Sequence, residues 1–199
     1  MKRISNWIAG MSVCMAGIIS AQAQTFQPGD ITFSAGYGFP SFTKTIFNVA
    51  EGENVGTTFI GPLFVKAEFA INETVGFGMD FAYSHGSATY QTSDSQVDSI
   101  LYNTNFKYTA YSALARFNFH FGHSTSFDPY TGVGLGYRNT KYTYTGNDPN
   151  QNPSDLNGFN HFGLDFTIGA RMYLTPNIGI YGEVGIAKAP IQVGLVARF

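Results

Sequence analysis

The chain has 199 residues, with 11 Lys or Arg against 13 Asp or Glu, a formal net charge of −2. Charged residues are 12% of the chain, against about 25% in ordinary soluble domains, which is too little charge to coat a water-facing exterior. The slightly acidic balance argues against a nucleic-acid partner, and the length suits one domain.

The chain opens Met1-Lys2-Arg3, continues with an apolar run from Trp7 to Ile19, and then reads Ser20-Ala21-Gln22-Ala23. A basic start, a short apolar core and an A-x-A site form the pattern of a secretory signal peptide over residues 1–23. The run is shorter than the roughly 20 apolar residues of a membrane-spanning helix. Val13 before Cys14 is not the small residue that a lipidation site wants. Cleavage near Ala23 is expected to leave residues 24–199 as one exported domain without cysteine. Taking Lys2 and Arg3 from the 11 basic residues leaves 9 against 13 acidic ones, a net charge of −4.

Eight period-2 segments follow. The first, about Asp30–Phe39, alternates Ile31, Phe33, Ala35, Tyr37 and Phe39 with Thr, Ser and Gly. The second, about Thr57–Ala70, sets Phe59, Leu63, Val65, Ala67 and Phe69 against Lys66 and Glu68. The third starts at Val75 and sets Phe77, Met79, Phe81 and Tyr83 against Gly76, Gly78, Asp80, Ala82 and Ser84. The fourth, about Thr104–Phe121, sets Tyr111, Phe117 and Phe119 against Ser112, Arg116, Asn118 and His120. The fifth, from about Asp128, sets Val133, Leu135 and Tyr137 against Gly132, Gly134, Gly136 and Arg138. The sixth, about Gly158–Leu174, sets Leu164, Phe166 and Ile168 against Asp165, Thr167 and Arg171. The seventh, from Ile178, sets Ile180, Val184 and Ile186 against Tyr181, Glu183 and Gly185. The eighth is Pro190–Phe199, with Ile191, Val193, Leu195, Ala197 and Phe199 on one parity.

The connections alternate long and short. Pro40–Gly56, His85–Asn103 and Asn139–Asn157 are read as polar loops, and Ile71–Thr74, Gly122–Phe127 and Thr175–Asn177 as tight turns. Transmembrane barrels have this pattern, with short turns at one rim and longer loops at the other. A soluble sandwich gives no reason for it. The seventh connection, Lys188–Pro190, is short where the rule asks for a long one, so the outer rim is expected to be lower there.

Periodicity alone also fits a soluble lipocalin-like barrel. The distribution of side chains separates the two. Aromatics are 16% of the chain and Gly numbers 23. Gly, Ser, Thr and the charges share one face, while the large apolar residues share the other. With so little charge to meet water, the greasy face is assigned to lipid and the polar face to the lumen.

The whole mature chain resembles the small eight-stranded outer-membrane β-barrels of Gram-negative bacteria, the OmpA/OmpX type of the porin-like "outer membrane β-barrel domain" family. The features carrying the resemblance are A-Q-A, G-P-L-F-V-K-A-E-F-A, V-G-F-G-M-D-F-A-Y-S, L-D-F-T-I-G-A-R-M-Y-L-T-P-N and the terminal V-G-L-V-A-R-F. It implies an all-β fold, an eight-stranded antiparallel up-and-down transmembrane barrel, exported to the cell outer membrane. It also implies that the terminal residues Gly194, Leu195, Ala197 and Phe199 are read by the outer-membrane assembly machinery.

Nine charges fall on the lumen face: Lys66, Glu68, Asp80, Arg116, Arg138, Asp165, Arg171, Glu183 and Arg198. Eight strands enclose a space that side chains just fill, and buried charges need partners. An Asp80–Arg116 contact and a contact of Glu183 with an arginine are expected, forming a salt-bridged plug. A narrow or gated small-solute channel is the alternative use of the same residues.

No cofactor and no catalytic or metal site is expected. His85, His120, His123 and His161 lack ligand spacing and are read as solvated. His85 with Ser84 or Ser87 suggests a lipid A-modifying enzyme only weakly, since adjacent strand residues point to opposite faces. Gly132-x-Gly134-x-Gly136 is no phosphate loop, because no helix follows; these glycines are expected to make room for Arg138 or Tyr130. Asp148-x-Asn150-x-Asn152 lacks the Gly and Glu of a calcium loop. The sequon Asn72-Glu73-Thr74 falls in a turn at the periplasmic rim. The expected role is a non-enzymatic envelope protein contacting outer-membrane lipid, with loops that meet an extracellular ligand or surface.

Overall fold

The computed structural model describes residues 26–39, 56–93, 101–122, 124–146, 154–157 and 161–199. The leader, Cys14, His123, the Asp148–Asn152 stretch and most of the first expected loop lie outside the described residues. The strands are β1 (Ile31–Phe39), β2 (Gly56–Ala70), β3 (Val75–Ser93), β4 (Leu101–His120), β5 (Phe127–Gly146), β6 (Ser154–Asn157), β7 (Phe162–Tyr173), β8 (Ile178–Ile186) and β9 (Ile191–Arg198).

Apart from the short β6, every strand pairs antiparallel with the next one in the chain, β5 pairing with β7, and β1 pairs with β9 to close the ring. Thr32 lies opposite both Glu68 of β2 and Arg198 of β9. Eight strands make the barrel. The short β6 stands outside the ring and pairs only with the upper end of β5, Ser154 opposite Tyr144. Closure leaves the barrel without the exposed edge that an open sheet presents.

The polarity is inside-out. Val65, Met79, Leu135, Ile168 and Leu195 are all more than half exposed, while Asp80 and Arg116 between them are each 2% exposed. The alternation that writes this pattern is the period-2 repeat of the sequence. Its apolar parity meets hydrocarbon and its polar parity fills the lumen.

The described parts of two expected loops are strand instead. β3 continues to Ser93 where a loop was expected from His85, and β5 continues to Gly146 where one was expected from Asn139. The pattern in these upper parts is the reverse of the pattern below. Ala88, Tyr108 and Ala110 are buried on the inner face, with Phe59, Phe106 and Tyr142 packed against them. Lys107 and Lys141 are exposed on the outer face. Above the lipid the outside must be polar and the apolar residues turn inward, so an alternation sought with apolar residues on the outer parity misses these residues.

β2 makes the same reversal by another device. Ile60 pairs with His85 and Leu63 with Tyr83, so β2 spends one more residue than β3 between those pairs. This is a β-bulge. Gly61 takes it up at φ +93°, where a side chain would lie 2.5 Å from the Tyr83 carbonyl oxygen. Phe59 and Leu63 were expected to share a face. The bulge sends Phe59 to the inner cluster and leaves Leu63 outside.

The rim is uneven. The β8–β9 connection is only residues 187–190, while β3, β4 and β5 rise well above it.

Val133 faces outward midway between Phe127 and Tyr137 on β5. Val133→Arg is expected to destabilise the barrel by about 2–4 kcal/mol, and Thr145→Arg, above the lipid, by about 0–1 kcal/mol. Urea titration of protein folded into lipid vesicles, followed by tryptophan-independent far-UV circular dichroism, measures both.

Candidate functional site

The polar parity of the barrel strands delivers the lumen charges in two layers. The upper layer joins Lys66 of β2, Asp80 of β3, Arg116 of β4, Asp165 of β7 and Glu183 of β8. Glu183 Oε2 accepts from Lys66 Nζ at 2.7 Å and from Arg116 Nη1 at 3.0 Å. Arg116 Nη1 lies 3.5 Å from Asp80 and 3.7 Å from Asp165. Lys66 Nζ also lies 3.5 Å from Asp80 and donates to Gln192 Oε1 at 2.7 Å. Arg116 donates further to Asn118 Oδ1 at 2.8 Å and Thr167 Oγ1 at 2.5 Å. Tyr130 hydroxyl donates to the second Glu183 oxygen at 2.7 Å. Two cations thus serve three carboxylates, and neutral donors and acceptors fill the remaining positions.

The lower layer sits at the mouth with the short turns. Glu68 of β2 binds Arg171 Nη2 and accepts from His120 Nε2 at 2.9 Å. Asp128 Oδ1 is 2.8 Å from His120 Nδ1, and Arg171 Nη1 is 3.6 Å from Asp128 Oδ2. The Arg171 guanidinium lies over the Tyr130 ring at 4.7 Å, linking the layers. Between them remains a void of about 10 Å³ beside Thr32, Glu68, Arg116 and Arg171, at the lower limit for one water molecule. The buried Thr32 hydroxyl has no protein partner there.

Seven of the nine expected lumen charges lie in these layers. The expected Asp80–Arg116 and Glu183–arginine pairs measure 3.5 Å and 3.0 Å. Arg198 stands apart, donating to the Pro176 carbonyl at 2.6 Å and lying over Tyr173 at 4.4 Å. Arg138 sits above the layers, where its backbone N–H donates to the His161 carbonyl at 2.8 Å.

The glycines of β5 do open space, but for other residues than Arg138 and Tyr130. A Cβ on Gly132 would lie 2.5 Å from Asn118 Oδ1, next to the Arg116 guanidinium, and one on Gly134 would lie 2.5 Å from Asp165 Oδ1. Their missing side chains are the room in which Arg116 and Asp165 meet.

Three residues of the site were not singled out from the sequence. His120, read as solvated, is 2% exposed and held between two carboxylates. Its parity with Arg116 and Asn118 was the available signal. Asp128 and Tyr130 open β5 on the same parity as Gly132. Above the layers, Lys188 in the outer turn reaches the Ala82 carbonyl at 3.4 Å. Desolvation, with Arg138 nearby, pushes its ammonium down to about 7.

His85 and His161 hold no such position. His85 Nδ1 is 3.0 Å from Thr109 Oγ1. Ser84 is buried on the opposite face, so the two do not form a nucleophile and base. Among the described residues no group of His, Cys, Asp and Glu is arranged to hold a metal.

Arg116→Met removes a cation that three carboxylates share and leaves charge uncompensated inside the barrel. It is expected to cost about 3–5 kcal/mol, read as a lowered urea midpoint of the folded protein in vesicles. Arg138→Met, above both layers, is expected to cost less in the same measurement.

A family model described as "Outer membrane protein beta-barrel domain" matches residues 9–199. Solved structures with similar folds include Ail, the attachment invasion locus protein of Yersinia pestis, in complex with the heparin analogue sucrose octasulfate. It is 18% identical at a TM-score of 0.47, over 87% of this chain and 100% of that one. OprG of Pseudomonas aeruginosa is 11% identical at a TM-score of 0.42, over 90% and 99%. The N-terminal barrel domain of Pseudomonas aeruginosa OprF is 13% identical at 0.40, over 87% and 98%. No protein of curated function matches the chain.

Proposed function

From the chain's membership of the outer membrane protein β-barrel domain family, which makes it a small outer-membrane barrel, we propose that it is a non-enzymatic envelope protein with a plugged lumen and a surface-contacting outer rim. The observation that carries this reading is the lumen itself. Lys66, Arg116, Asp80, Asp165 and Glu183 are interlocked across opposite walls, and the void beneath them is about 10 Å³. A path for solutes requires these pairs to part. Holding opposite walls together is a structural task that the same pairs perform without moving.

Any partner beyond lipid is met at the outer rim. There the upper parts of β3, β4 and β5 stand above the apolar band as a rigid platform for the connections between them. A ligand or surface in the medium is the proposed contact. Residues 1–23 are proposed to be a leader removed near Ala23. Gly194, Leu195, Ala197 and Phe199 are proposed to be read by the assembly machinery. Gly194, Leu195 and Ala197 lie in β9, which pairs with β1 to close the barrel, and Phe199 follows it directly, exchanging backbone hydrogen bonds with Ile31. The charged lumen favours one second reading, a narrow or gated channel for small solutes. A lipid A-modifying enzyme has less support, since His85 and Ser84 face opposite sides of the wall.

In planar bilayers, protein purified from outer membranes, with an intact mass beginning at Gln24, is expected to show no sustained porin-sized openings. Such openings would overturn the plugged reading in favour of the channel. Phe199→Ser is expected to reduce the folded protein recovered from the outer membrane while leaving export intact. Unchanged recovery would remove the terminal residues from the assembly role.

A further inference from the structure

Phe26 precedes β1 and would face solvent if residues 26–30 simply led into the barrel. Instead it is 3% exposed, and its ring stacks on the His120 ring at 3.6 Å between centroids and 13° between planes. The chain is turned under the mouth to bring it there. Gln27 N–H donates to Asp30 Oδ2 at 3.0 Å, and Gly29 N–H donates to the Ala70 carbonyl at 2.9 Å. Gly29 adopts φ +93°, the left-handed turn that this reversal uses.

The ring under Phe26 has a defined chemistry. Its two nitrogens each face a carboxylate oxygen, Glu68 at 2.9 Å and Asp128 at 2.8 Å. Ionised carboxylates only accept hydrogen bonds, so an imidazole meeting both donates from both nitrogens and is the cation. A flat cation against an aromatic face is a favourable pairing. The layer is electrically closed, with His120 and Arg171 against Glu68 and Asp128. Tyr130 lies beside the histidine at 5.5 Å, and Asp30, Glu73 and Arg198 are further charges of this rim.

We propose that Phe26 is a stopper that closes the periplasmic mouth over a doubly hydrogen-bonded histidinium, so that the lumen is shut twice by independent layers. This rests on the plugged-lumen reading and adds a second, lower closure to it. The upper layer ties strand to strand. The lower one ties strand to strand as well, and in addition ties the segment before β1 to the barrel through a ring that needs its charge. When His120 gives up a proton it can serve only one of its two carboxylates, and the stacked pair loses its cation. The lower closure is therefore tight at neutral pH and loosens in alkali, whereas the upper layer has no histidine.

The test is the side-chain proton–nitrogen spectrum of ¹⁵N-histidine-labelled protein folded in micelles, with His120 assigned from His120→Gln. The wild type is expected to show two slowly exchanging ring N–H signals from His120 at neutral pH, lost on raising the pH. Phe26→Ala is expected to lose both signals at neutral pH through exchange with water, with folded electrophoretic mobility retained. Glu183→Gln, in the upper layer, is expected to keep them. If Phe26→Ala does not fold, Phe26→Leu keeps the apolar bulk without the ring and is expected to speed their exchange. The proposal is overturned if the wild type shows one ring N–H or none, or if the Phe26 variant that folds keeps both signals as protected as before. A conducting wild type would sink the plugged reading and the stopper together, whereas a non-conducting wild type whose His120 signals are missing or unprotected would sink the stopper alone.

Discussion

The structure turns on one constraint: charges enclosed by eight strands have no bulk water to face. A barrel of this width is filled by side chains, so each ion brought inside must find its solvation in other side chains. That requirement explains the crowding of partners around Arg116, which meets Asp80, Asp165, Glu183, Asn118 and Thr167. It explains the glycines of β5, which surrender their side chains so that the guanidinium and Asp165 can approach. It also explains why the large apolar residues lie outside, where hydrocarbon accepts them without cost.

Most of the barrel was legible in the sequence because a lipid-facing strand writes its environment in a two-residue repeat. The parity of Lys66, Asp80, Arg116 and Glu183 placed them inside, and the short connections placed their heights well enough to pair Asp80 with Arg116. His120 was misread for a reason that parity alone contained. It closes the series Arg116, Asn118, His120 and so belongs to the lumen, but its nearness to a turn suggested water. What seals it from water is Phe26, far away in sequence and on no strand. The upper reaches of β3, β4 and β5 were hidden by a different effect. Their alternation is intact, but its sense is reversed, and Tyr, Thr, Ser and Asn resemble loop composition when no apolar outer face accompanies them.

The two charge layers differ in what they bind together. Both span strands from opposite walls, the lower one through Glu68 of β2 and Arg171 of β7. The lower one also holds a segment that contributes nothing to the sheet. Buried ion pairs seldom raise stability over well-packed apolar substitutes, yet removing one partner is costly. Such a network specifies a single arrangement of the interior more than it strengthens the fold.

The bulge at Gly61 and Pro62 has a further consequence. A strand passing from hydrocarbon into water must exchange its greasy and wet sides, and β2 does so by inserting one residue out of step. The other tall strands keep step and change their residue types instead. The single unpaired residue therefore sets in the backbone the level at which β2 trades one side of the wall for the other.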